Sequence, residues 1–321
     1  MTRSQARREI FNYRIGWSAQ RRRQGEHRSM LAGDSGAWRG DILLRDASEA
    51  RRLALRASLR DPLERLWVRD VLHTASLDLW VLVDLSGSMR WAGDGVAGCT
   101  TAARLIAAAA HSTHGPGDRL GVYCAANQPV AALSMPPSRH LSAQLALAGR
   151  IAALATANPS RTARPGDGMP DRPARTTDLA DGADGLVQAL VRIGTRRSLV
   201  FIVSDFQPTR TDWSGLLRRF AAHQVVPVVT WNLPAMALAG SRGLLAVTDA
   251  ETGMRQMIWM RRSVRTRIRE ALDAHHARIG SICRERGLRP LHLYEGFDAQ
   301  AVTAWFHGMT PQALRPSQRC A

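Results

Sequence analysis

Two unbroken apolar runs constrain this chain more than anything else in it. They are "LDLWVLVDL" at 77–85 and "RSLVFIVSDF" at 197–206. Each is short, rich in β-branched and aromatic residues, and lacks the in-out alternation of a half-exposed strand. Such runs are the mark of strands covered on both faces, as in a parallel sheet flanked by helices. Each also ends in an aspartate, Asp84 and Asp205.

The rest of the chain fits that frame. "TAARLIAAAAHST" reads as a helix ended near Gly115–Gly117, followed by a strand at "DRLGVYCAA". "QPVAALSMPPSR" reads as an edge strand with a proline turn. "LSAQLALAGRIAALA" is a second helix, and 157–176, rich in Pro, Gly and Arg, is the longest loop. A helix opened by Asp178 is expected next, and Asp212 is placed to cap another. "VVPVVTWNL" is a strand, and "GLLAVTDAETGMRQMIWM" reads as two strands about a turn. Val264, Ile268, Leu272, His275, Ile279 and Ile282 form one stripe of a long helix ended by Gly287. A last strand lies in "LRPLHLYEG" and a last helix in "DAQAVTAWFHGM".

Strands alternating with helices predict a doubly wound α/β fold, with a mainly parallel sheet and helices on both faces. The expected division is an N-terminal basic segment over 1–72 with short strands and a helix, a main domain over 73–310, and a tail over 311–321. The main domain carries a strand-turn-strand insertion at 234–262. In such folds ligands bind at the carboxyl ends of the strands. Asp84 and Asp205 should therefore share one sheet edge.

What meets there is narrowed by spacing. In "DLSGSM", Asp84, Ser86 and Ser88 alternate along one loop, and Gly87 permits a tight turn. A carboxylate and two hydroxyls could cap a helix, activate a nucleophile or begin an oxygen shell for a hard cation such as Mg²⁺. The nucleophile lacks partners. "DLSGSM" is not the G-x-S-x-G elbow, and "GDSGAW" at 33–38, which imitates a serine-protease segment, reads as a turn because the pattern is α/β, not β-barrel. A P-loop needs a lysine, and all 44 Lys+Arg residues here are arginine.

The set D-x-S-x-S, then a Thr, then an Asp after an apolar strand resembles the metal-ion-dependent adhesion site of von Willebrand factor A (vWA) domains. Here it reads "DLSGSM", "RTTDL" and "FIVSDF". The resemblance implies that Ser86, Ser88 and Thr177 contact Mg²⁺ or another divalent cation such as Mn²⁺, with Asp84 and Asp205 acting through bound water. Thr177 is preferred to Thr176 because the family usually shows Thr directly before the Asp-Leu that opens a helix. "GEHRSMLAG" at 25–33 and "GLLAVTDAETG" at 243–253 are similar to pieces of a bacterial vWA group that accompanies MoxR-type AAA+ ATPases. That similarity implies an interaction module, not an enzyme. It would bind an acidic residue of a partner and work with such an ATPase in assembling or maturing a protein complex, for example an oxidoreductase such as methanol dehydrogenase. Gly87, Met89, His27 and Arg28 are the expected partner-facing residues.

The formal net charge of +17 favours acidic partners. A nucleic-acid-binding protein using an arginine-rich surface is the runner-up. It is disfavoured because residues 254–290, with ten arginines, have Trp259 alone for base stacking. His275, on the apolar stripe, reads as a packed core histidine. Cys99, Cys124, Cys283 and Cys320 are scattered without a CxxC pair, which fits a reducing cytoplasm. No signal peptide or membrane span is expected.

Overall fold

The computed structural model describes residues 9–15, 27–32, 38–46, 53–91, 96–156, 183–207, 211–231, 243–248, 255–294 and 296–308. The central feature is a six-stranded sheet built from β4 (Asp78–Asp84), β5 (Arg119–Ala125), β6 (Met135–Ser138), β7 (Leu199–Ser204), β8 (Gln224–Thr230) and β11 (Leu291–Leu293), in the order β11-β8-β7-β4-β5-β6. All pairs are parallel except β5–β6. The antiparallel edge strand β6 contains Pro136 and Pro137, which lack the N–H groups a central strand must donate. Ahead of the sheet, β1 (His27–Ala32), β2 (Trp38–Leu43) and β3 (Trp67–Ala75) form a separate antiparallel sheet in the order β1-β3-β2, with helix α1 (Leu55–Arg60) between β2 and β3.

Alternate residues of the central strands enter two cores. Leu79, Val81 and Val83 of β4 join Leu199, Phe201 and Val203 of β7 on one face. This face is covered by α3 (Gly98–His114), α4 (Leu141–Thr156) and α8 (Ala299–Phe306). Trp80, Leu82, Val200 and Ile202 point to the other face. There they meet α5 (Ala189–Ile193), α6 (Trp213–Arg219) and α7 (Arg262–Glu285). With both faces covered, alternation of polar and apolar residues would bury polar groups, so the strands are apolar throughout. A turn of helix α2 (Gly87–Arg90) follows β4, and a 3-10 turn Asp184–Gln188 precedes α5.

Several local expectations resolve in detail. Asp212 caps α6, its Oδ1 accepting the Gly215 N–H at 3.0 Å. Asp178 lies outside the described residues; the described part of the segment after it is the 3-10 turn Asp184–Gln188 followed by α5 from Ala189. Gly185 explains the tight start. Its N–H reaches the Ala126 carbonyl at 2.9 Å, and a Cβ there would lie 2.6 Å from that oxygen. β9 (Gly243–Thr248) and β10 (Arg255–Met260) pair antiparallel as expected, while the turn at 249–254 lies outside the described residues. Gly287, at φ +63, ends α7.

The N-terminal lead-in is part of the core. Residues 9–15 lie across the face covered by α3 and α8. Phe11 is 1% exposed and meets Phe201 and Phe297 edge-on. The Phe11 N–H donates to Ser112 Oγ, the Tyr13 hydroxyl donates to Asp118 Oδ2, and Glu9 pairs with Arg104 at 2.8 Å. Among the described residues no helix is long and apolar enough to cross a membrane.

Candidate metal centre

The chain passes from β4 to β5 on one side and later returns to β7 on the other side of β4. The carboxyl ends of β4 and β7 are thus a topological switch point, where open α/β sheets form a crevice. Asp84 closes β4. Asp205 follows β7, whose Val203 lies opposite Val83. The two aspartates meet at the expected edge.

Asp84 is buried, and its carboxylate is held on both sides. The Ser86 N–H donates to Oδ1 at 2.8 Å, and Ser204 Oγ donates to Oδ2 at 2.7 Å. Ser204 also accepts the Phe206 N–H at 2.9 Å, which ties the loop after β7 to the end of β4. Ser86 Oγ and Ser88 Oγ are 3.2 Å apart, and the Ser88 hydroxyl lies close enough to Asp205 to favour its charged form. Two carboxylates and three serine hydroxyls thus gather at the ends of β4 and β7.

The electrostatics follow from that crowding. Burial, and then the neighbouring Asp205 carboxylate, push the Asp84 carboxyl up to about 7. Burial likewise raises Asp205, against the opposing hydrogen bond from Ser88. Two carboxylates crowded together are the setting in which a bound cation offsets the most repulsion. The donors are all oxygens, as Mg²⁺ or Mn²⁺ requires, and hydroxyls leave room for retained waters. Among the described residues no three His, Cys, Asp or Glu side chains converge, so softer nitrogen-sulfur coordination has no candidate there. The residues present fit a hard divalent cation.

Backbone strain marks the same loop. Phe206 has φ +53, which a bulky residue adopts only when its surroundings demand it. Its ring is buried against Trp213, with centroids 4.5 Å apart. His275, from α7, donates from Nε2 to the Asp205 carbonyl at 2.9 Å and packs edge-on to Trp231. It is a packed histidine, as its place on the apolar stripe implies, and it also holds the aspartate's backbone. Ser204 and His275 are the two supports that motif reading missed. Ser204 looks like any strand-end serine until the β4–β7 register brings it to Asp84.

Other expected residues fall elsewhere. Thr177, with Thr176, lies outside the described residues. Gly87 is buried at the start of α2. Met89 does not face a partner. It is 1% exposed, its sulfur accepts the Thr230 hydroxyl at 3.2 Å, and Gly98 approaches it so closely that a Cβ would lie 2.5 Å from Sδ. The reason is that α2 turns at once after Ser86, which rotates Met89 inward. His27 and Arg28 pair with Ala75 and Thr74 in the smaller sheet. β3 enters β4 at its amino end, so the length of β4, about 20 Å for seven residues, lies between that edge and Asp84. Their backbone position is at the edge opposite the cluster.

The sequence model of the family described as "Protein of unknown function DUF58" matches residues 49–278, well over half of the chain. The chain belongs to the DUF58 family. The DUF58 match contains Asp84, Ser86, Ser88, Ser204, Asp205 and His275, whereas His27 and Arg28 precede it. Curated relatives include the uncharacterized protein Rv1480 of Mycobacterium tuberculosis, 27% identical over 275 residues, which cover 84% of this chain and 78% of the relative. The uncharacterized protein Mb1516 of Mycobacterium bovis matches with the same identity and coverage. Among solved structures, the chain is similar to the conserved hypothetical protein BatB from Bacteroides thetaiotaomicron, at 10% identity and a TM-score of 0.41. That match covers 73% of this chain and 98% of the other.

Proposed function

We propose that this DUF58 protein is a metal-ion-dependent interaction module of the vWA type. Ser86 and Ser88 would hold Mg²⁺ or Mn²⁺, with Thr177 as the third hydroxyl ligand implied by the sequence resemblance. Asp84 and Asp205 orient the surrounding waters and neutralise charge. When bound, the cation supplies a Lewis-acidic position to which a partner's carboxylate can add. The observation that carries this reading is the convergence of the Asp84 and Asp205 carboxylates with the Ser86 and Ser88 hydroxyls at the switch point. Ser204 keeps Asp84 from turning away, and His275 fixes the Asp205 backbone.

The partner class follows from the resemblance of "GEHRSMLAG" and "DAETG" to the group that accompanies MoxR-type AAA+ ATPases. The role would be assembly or maturation of a client complex in the cytoplasm, with no turnover by this chain. The direct test uses a purified MoxR-type ATPase with the full chain immobilised. Capture in Mg²⁺ that is lost in EDTA and in Asp84→Ala supports the reading. Capture indifferent to EDTA, or none, overturns the metal-bridged partnership.

A further inference from the structure

The β9–β10 hairpin is a two-stranded sheet of its own. Its register sets Leu244 opposite Trp259 and Ala246 opposite Met257. Residues two apart along a strand share a face, so Leu244, Met257 and Trp259 lie together on one side. That side is open: the three are 53%, 61% and 59% exposed. On the other side Met260 is buried, and Leu245 and Ile258 are half-buried. The hairpin is thus anchored by one apolar face and displays a second. Scattered surface leucines need no explanation, but a Trp, a Met and a Leu in direct register form a contiguous patch of the kind that marks an interaction site.

The surrounding charge says what kind of partner fits. From Arg255 to Arg269 the chain has six arginines and no acidic residue. Arg261 and Arg262, directly after the hairpin, are exposed. A second copy, itself at +17, would bring like charge against this collar. The position is also informative. His275 touches the Asp205 carbonyl, and the thirteen helical residues before it, at 1.5 Å each, carry the root of the hairpin about 20 Å beyond that level. The hairpin is therefore joined through one continuous helix to the residue that holds the Asp205 backbone.

We infer that the Leu244–Met257–Trp259 face is a docking surface for an acidic protein segment, which seats apolar side chains on the Trp and Met while its carboxylates meet the arginine collar. This composition matches interface hot spots, where Trp and Arg dominate. The surface is built from the hairpin and the arginines that follow it, and does not require the cation. It adds a second contact to the metal-bridged one without depending on it.

The probe is a phage-displayed library of random twelve-residue peptides panned against the full-length protein in EDTA. Enriched clones should combine Asp or Glu with aromatic or aliphatic residues. Their binding should weaken with added salt, fall at least about tenfold in Trp259→Ala and in Met257→Ala, and be unchanged in Asp84→Ala. Arg261→Glu with Arg262→Glu gives an independent check, and circular dichroism melts confirm that each variant is folded. Any of four results overturns the inference: no enrichment; clones without acidic residues; clones that bind folded Trp259→Ala as tightly as wild type; or binding of the same face to vesicles of phosphatidylglycerol and phosphatidylcholine, or to a second copy by sedimentation, in place of peptides. Because panning is done in EDTA, failure here leaves the metal reading intact, and failure of Mg²⁺ binding leaves this one intact.

Discussion

Ser204 Oγ donates a 2.7 Å hydrogen bond to Asp84 Oδ2 across 120 residues of chain. Ser204→Ala leaves a buried carboxylate oxygen without a donor. The expected loss is about 1–3 kcal/mol of stability, read by urea denaturation at pH 7. An unchanged midpoint would mean that the bond does not hold the end of β4 to β7.

Removing the charge itself should act the other way. Asp84, pushed up to about 7, keeps a proton in the folded state that the unfolded chain gives up near 3.8. Stability linked to this group is full below about pH 4 and is lost as pH rises toward 7. In EDTA, Asp84→Asn should therefore be more stable than wild type at pH 7, by on the order of 2 kcal/mol, and close to it at pH 4. Thermal melts across that range test this. A variant less stable than wild type at pH 7 would contradict it.

His292 has the opposite sign. Its Nδ1 accepts the Trp231 indole N–H at 3.1 Å, and it stacks on His276 with centroids 4.7 Å apart. Burial, and then the neighbouring His276, lower it to about 4. Between 6.5 and 4 the unfolded chain takes up a proton that folded His292 refuses, so stability is lost as pH falls through that window. His292→Gln should remove an acid-side loss of about 2–3 kcal/mol. The difference between the melts of variant and wild type should close steadily from pH 4 to 7. A constant difference would show that His292 is not the titrating group.

Phe11→Ala should cost about 3–5 kcal/mol, because a fully buried ring against Phe201 and Phe297 is replaced by a cavity. Equilibrium urea unfolding measures it. A change below about 1 kcal/mol would mean that residues 9–15 are dispensable to the core.

The framework was legible because the rule behind it is simple. A strand covered on both faces can carry no alternation, so β4 and β7 read as unbroken apolar runs, and their terminal aspartates had to meet at one edge. The pieces that were not legible depend on register or rotation. Ser204 matters only because β7 pairs beside β4. Met89 turns inward because α2 begins at Ser86, a rotation that alternate spacing along an extended loop does not anticipate. His27 and Arg28 belong to a sheet whose pairing has no periodic signature long enough to place it. Phe11 is anchored by single tertiary contacts with no periodicity, so a core strap looked like a basic lead-in. His275 was placed in the core by its stripe, but its bond to the Asp205 carbonyl needed the fold.

Asp84, Ser86, Ser88 and Asp205 are proposed as the protein's share of a cation site. Isothermal titration of MgCl₂ and MnCl₂ into the EDTA-treated, dialysed full-length protein tests it most directly, with the Ser86→Ala/Ser88→Ala variant alongside. One saturable site per chain is expected in the wild type and none in the folded variant. No saturable binding to the wild type, or equal binding to the variant, would contradict it.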